Sequence, residues 1–150
     1  MHRTRWRRAV LNDMCINEID HDFMATVGLP HLQHDDLEFF TNPVLPTHEG
    51  TDCHRIGTYG LFNDCPLFVR ESVSGVWTVD EETNEPLLVN SSAKTFSQFV
   101  GLREKYLLDM SKYLPDEVQE EFVVVIKKAM KHIDPIAMEE PFLFVLASIY

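Results

Sequence analysis

The sequence predicts an α+β fold, with a mostly antiparallel sheet of about four to six strands packed against N- and C-terminal helices. Three observations predict it. Apolar residues recur at helical spacing before residue 28 and again after residue 90. Between those stretches lie short strand-like runs separated by turn residues. Strands and helices are segregated along the chain and do not alternate as a doubly wound fold requires. With 150 residues, 45% of them hydrophobic, the chain suits a single domain over 1–150 with a proper core.

The elements follow in order. Residues 9–27 predict one helix. Ile19, Phe23, Met24 and Val27 mark its apolar side, Gly28 suits the left-handed position past its end, and Pro30 blocks continuation. "LEFF" (37–40) predicts a first strand, and "TNPVLPTHEGTD" a loop. "HRIGTYG" (54–60), "PLFVRES" (66–72), "GVWTVDE" (75–81) and "EPLLVN" (85–90) predict further strands, with a tight turn at Ser74-Gly75 and a hairpin turn at "DEETNE". Val76, Thr78 and Asp80 face one way, Trp77 and Val79 the other. Ser91 or Ser92 suits the cap of a helix whose stripe is Phe96, Phe99, Val100, Leu107 and Met110, with Arg103, Glu104 and Lys105 outside it. A second helix opens at Pro115, with Val118, Phe122, Val125, Ile126, Ala129 and Ile133 inward. Asp116 and Glu117 suit the positive end of its dipole; Lys127, Lys128, Lys131 and His132 suit the other. Asp134 suits the cap of a last stretch that Pro141 kinks before "FLFVLASIY".

The net charge is −11, and the four arginines of "MHRTRWRR" leave a body near −15. Such a body repels nucleic-acid phosphates and anionic membranes, and attracts a basic protein; a solubilising surface would look the same. Residues 1–8 lack the apolar run of a secretion signal and suit a loose basic tail or the first turn of a helix. No stretch approaches the length of a membrane span. Cys15, Cys53 and Cys65, an odd and scattered set, predict reduced, mostly buried thiols and a cytoplasmic location.

Visible chemistry is sparse. His31, His34, Asp35, Asp36, His48, Cys53 and His54 are the only metal-ligand scatter, without CxxC or HExxH spacing. A solvated loop accounts for them, so no metal and no cofactor are expected. Ser91 and Ser92 are caps before they are nucleophiles, and Gly57 and Gly60 are marks of a bulge or close backbone approach before they are a phosphate loop. Asp35, Asp36, Glu38, Asp80, Glu81, Glu82 and Glu85 form acidic loops suited to a basic partner. Trp77 reads as core.

"VGLP" closing a helix, "RIG" entering a strand, the hairpin "GVWTVDEETNEPLLVNSS" and the helix start "AKTFSQFV" together resemble the SUKH superfamily of fungal Smi/Knr-type cell-wall regulators and bacterial immunity proteins. The fourth SUKH immunity subfamily is the most similar, over roughly residues 18–110. Phe142 and Phe144 stand near the end, where the family often shows Trp. The resemblance implies a SUKH-like (Smi/Knr-like) α+β fold and a non-enzymatic protein. It would bind and neutralise a cognate polymorphic toxin, of nuclease or nucleic-acid deaminase type, in a bacterial cytoplasm. The second role it allows is a regulatory interaction module with no toxin partner. No catalytic residue is carried over. Gly28, Leu29, Pro30, Gly57, Asn90, Ser91 and Ser92 match the family motif and are read as structural. The oligomeric state stays open, with a monomer favoured.

Overall fold

A computed structural model describes residues 2–31, 37–41, 47–60, 65–110 and 115–139, without the side chains of 107–110. The elements are β1 (Arg3–Thr4), α1 (Arg8–Asp13), α2 (Glu18–Thr26), β2 (Leu29–Pro30), β3 (Leu37–Phe39), β4 (Cys53–Tyr59), β5 (Cys65–Arg70), β6 (Val73–Val79), β7 (Pro86–Asn90), α3 (Ala93–Met110) and α4 (Asp116–Ile133). β3 to β7 form a five-stranded sheet in sequence order, antiparallel throughout, and β1 pairs with β2 in a separate small sheet. The architecture is the predicted α+β.

Local chemistry departs from the sequence reading at several places. The helix expected over 9–27 is two helices. Cys15 adopts a left-handed φ of 52°, and Asn17 restarts the chain by accepting the Ile19 amide at 3.0 Å. That break leaves Cys15 exposed, although a buried thiol was expected. Residues 3–8 are not a loose tail. Arg3–Thr4 pair with Leu29–Pro30, and Trp6 is buried, its indole donating to the Phe40 carbonyl at 2.7 Å. Gly28 makes this possible: its φ is +82°, and a Cβ there would lie 2.3 Å from the Thr4 carbonyl. The turn before β6 is Glu71-Ser72, with Ser72 at φ 58°, and Gly75 lies inside the strand; the tight turn expected at Ser74-Gly75 is therefore corrected.

The core lies between the helices and one face of the sheet. α3 packs on β2, β6, β7, α2 and α4. Ile56, Leu67, Val69, Val76 and Val89 from the sheet meet Phe96, Phe99 and Val100 of α3, with Leu11, Met24 and Leu29 closing the N-terminal side. Ser92 caps α3 reciprocally: its hydroxyl accepts the Thr95 amide at 3.0 Å, and the Thr95 hydroxyl accepts the Ser92 amide at 3.2 Å. Two side chains were placed on the wrong side by periodicity. Arg103 is 1% exposed, and Val125 is 62% exposed while Met130 is buried. Leu107 and Met110, and everything after Glu139, lie outside the described side chains.

Candidate interaction surface

The helices cover one face of the five-stranded sheet; the other carries a row of large side chains. Register pairs Arg55 with Phe68, Phe68 with Trp77, and Trp77 with Leu88, so the four stand side by side across β4 to β7. Alternation places this row opposite Leu67, Val69 and Val76, which point into the core. Trp77 is half-buried, with its indole nitrogen donating to the Ser74 carbonyl at 3.2 Å. The Arg70 guanidinium lies 4.6 Å from the Trp77 ring centre, and its Nε donates to Asp52 at 2.8 Å. That hydrogen bond holds the Asp52 carboxyl below the ordinary carboxylate range. It also holds the arginine over the indole. The Arg55 guanidinium lies over Phe40, 5.9 Å from the ring centre, without a matching bond from its Nε to any described residue. His48 covers Phe68 from the loop side, with ring centres 5.8 Å apart. The surface therefore presents Trp77 and Arg70 above a buried Phe68, 3% exposed, and Trp and Arg are residue types that dominate protein–protein affinity.

The acidic residues lie at the rim of this face. Glu38 pairs with Thr58 and Thr58 with Pro66, two residues before Phe68, so Glu38 projects from the same face at the β3 edge. Asp80, Glu81, Glu82 and Glu85 form the β6–β7 turn beside the opposite edge. Asp80 shapes that turn, its Oδ1 accepting the Glu82 amide at 2.8 Å and the Thr83 amide at 3.4 Å. Glu81, Glu82 and Glu85 are exposed. The acids thus flank one end of the sheet without forming one cluster. Asp35 and Asp36 lie outside the described residues.

Of the family-motif residues, Asn90, Ser91 and Ser92 sit at the corner where β7 enters α3, beside two buried carboxylates, while Gly28, Leu29 and Pro30 lie at β2. Asp134 Oδ2 accepts from Asn90 Nδ2 (3.1 Å), the Ser91 amide (2.8 Å) and the Thr95 hydroxyl (2.9 Å). Its Oδ1 accepts from the Ser91 hydroxyl (2.9 Å) and the Ala137 amide (3.3 Å). Burial pushes the Asp134 carboxyl up, but the bonds from the Ser91 amide, Asn90, the Ser91 hydroxyl and Thr95 outweigh it and hold the group below its usual value. Asp20, from α2, receives the Gly75 and Ala93 amides, each at 2.8 Å, and the Ser74 hydroxyl at 3.1 Å. Both carboxylates are saturated with donors and sealed from solvent. Gly57 is at the β4 bulge, where a Cβ would meet the Glu38 carbonyl at 2.3 Å. The sequence reading missed Asp20 altogether and saw Asp134 only as a cap.

Elsewhere the polar groups are occupied with one another. Among the described residues, no three His, Cys, Asp or Glu side chains gather as a metal site. His54 bonds Glu71 at 2.9 Å, His48 bonds Asn84, and His31 bonds Thr4. Burial pushes the Cys53 thiol up, away from the reactive thiolate. His34 lies outside the described residues. A cleft of about 650 Å³ between α1 and α2 is spanned by the Arg8–Asp22 ion pair at 2.9 Å. Among the described residues, no helix is long and apolar enough to cross a membrane.

The described residues thus form an α+β fold with hydrogen-bonded buried carboxylates and an aromatic sheet face that no described helix covers. The chain belongs to the SUKH-4 immunity protein family, which it matches over residues 3–144. That family is generally non-enzymatic, and membership implies a toxin-neutralising immunity role and a cognate toxin partner. No curated protein and no solved structure matches the chain.

Proposed function

We propose that this protein is a non-enzymatic immunity protein that acts in the cytoplasm by binding a basic toxin domain of nuclease or nucleic-acid deaminase type. The helix-free face of the sheet is its contact surface. The observation that carries the reading is the Arg55–Phe68–Trp77–Leu88 row with Arg70 fixed over Trp77, in a chain of the SUKH-4 family. Trp77 and Arg70 supply the desolvated anchors. Glu38, Glu81, Glu82 and Glu85 supply the rim charges that draw in a basic domain and disfavour other partners. The net charge of −11 supports the same sign of partner. The fold's own needs account for Gly28, Leu29, Pro30, Gly57, Asn90, Ser91 and Ser92.

The test is binding of a basic nuclease or deaminase toxin domain captured from the native host, followed by surface plasmon resonance. Trp77→Ala is expected to weaken the complex by roughly 30-fold or more, mainly through faster dissociation. Reversing Glu81, Glu82 and Glu85 to Lys is expected to slow association roughly tenfold at low salt. Unchanged binding in both variants would remove this face from the interface.

A further inference from the structure

α4 carries a charge pattern with a centre. Its sequence, DEVQEEFVVVIKKAMKHI, holds four acids, Asp116, Glu117, Glu120 and Glu121, all in the first half. Lys127, Lys128, Lys131 and His132 are all in the second. The two sets mirror one another about Val124: Glu121 and Lys127 are three residues from it, Glu120 and Lys128 four, Glu117 and Lys131 seven, Asp116 and His132 eight. At about 100° per residue, all eight fall within about 80° of Val124 around the helix. They therefore share the face opposite buried Ile126 and Met130. Val124, at the centre of that face, is 53% exposed, and Val125, about 100° round the helix at its flank, is 62% exposed. Beside them, Val124, Lys127, Lys128, Lys131 and Met138 line a shallow cavity of about 300 Å³.

A surface with an apolar residue at its centre and opposite charges at equal distances on either side is complementary to itself after a half-turn. We propose that this face pairs two copies of the chain, α4 against α4 antiparallel, about a two-fold axis at Val124. In that arrangement Glu121 faces Lys128 of the partner subunit, Glu120 faces Lys127 of the partner subunit, and Glu117 faces Lys131 of the partner subunit. The same pairs recur on the other side of the axis, as an isologous interface demands. Val124 loses its exposure to the equivalent residue of the second copy. The cavity lies at the height where the second copy presents its acidic half. A parallel pairing would set acid against acid and base against base, so charge also selects the direction. The α4 face and the aromatic sheet face belong to different elements, so this pairing stands independently of toxin binding.

One helix face is a small interface, so the dimer is expected to be weak, with a Kd of roughly 10–100 µM. Sedimentation equilibrium of the full chain, from about 1 µM to about 500 µM at low salt, is expected to show a monomer–dimer transition that high salt shifts toward monomer. Two charge-reversed variants complete the test: Glu117→Lys with Glu121→Lys, and Lys128→Glu with Lys131→Glu. The positions are exposed, so folding is retained, which circular dichroism checks. Each variant alone is expected to associate at least tenfold more weakly than the native chain, and an equimolar mixture of the two is expected to dimerise. A native chain that stays monomeric throughout, or variants that dimerise as it does, would overturn the pairing. Dimerising native protein with no rescue on mixing would overturn the antiparallel register.

Discussion

Asp134 accepts five hydrogen bonds inside the fold, from Asn90, Ser91, Thr95 and Ala137. Removing the carboxylate leaves several buried donors unmatched, so Asp134→Ala is expected to cost roughly 3 kcal/mol in urea unfolding at neutral pH. Its depressed titration also sets a pH signature. The unfolded carboxyl titrates near about 3.9, above the folded one. The stabilisation is therefore complete above the unfolded value and is lost as pH falls through the folded one. The stability gap between the native chain and Asp134→Asn is expected to stay constant from about pH 7 to pH 5 and to narrow below about pH 4. A gap that widened in acid would refute this account of the corner. Arg103 is the other residue whose role is invisible in sequence. It lies buried with its guanidinium 5.2 Å from the Tyr59 ring centre and donates to the Tyr59 hydroxyl at 2.7 Å. Helical periodicity put it outside the stripe because charged side chains normally stay in water; a tyrosine 44 residues away, on β4, is what brings it in.

At the scale of elements, the sequence was informative where period and punctuation agree. β4 to β7 were found to within a few residues because their short apolar and β-branched runs are bounded by turn residues, among them Asn84 and the acids of the β6–β7 turn. α4 was found, but its facing was partly misread. "FVVVI" is apolar on all sides, so Val125 and Met130 could not be sorted by period alone. The break at Cys15 was missed because apolar spacing carries on across it. β3 is held to the sheet through a close approach at Gly57, where a Cβ would lie 2.3 Å from the Glu38 carbonyl and 2.9 Å from Phe39 Cδ1. Gly57→Ala is thus expected to push β3 away from β4 and lower the melting temperature by roughly 10 °C. Faster amide exchange at Phe40, whose N–H donates to the Ile56 carbonyl at 2.7 Å, would report the same displacement. Unchanged melting would mean that β3 shifts freely.

For the whole molecule, in the proposed complex, charge and sheet divide the work of recognition. The net charge of −11 acts at long range, and the ordered Trp77–Arg70 stack acts only on contact. Raising salt from about 0.05 M to 0.5 M is expected to slow association with a basic domain while leaving dissociation nearly unchanged; Trp77→Ala should do the reverse. Stopped-flow kinetics separate the two, and equal sensitivity of both rates to salt would contradict the division. The acidic rim was legible in sequence because turn residues announce themselves. The aromatic row was not, because Trp77 has the composition of core and only strand register shows that its neighbours are Phe68 and Leu88 on the face that no described helix covers.

The corner where β7 enters α3 is tied from both ends of the chain. Asp20 reaches Ala93 across 73 residues, and Asp134 reaches back to Asn90 and Ser91. Neither half of the protein can close this corner by itself. The corner is complete only once residues 20, 90–95 and 134 have come together, contacts of the long sequence separation that slows folding. A chain broken between residues 95 and 134 is expected to lose this corner, so an unbroken backbone is what keeps the start of α3 in place.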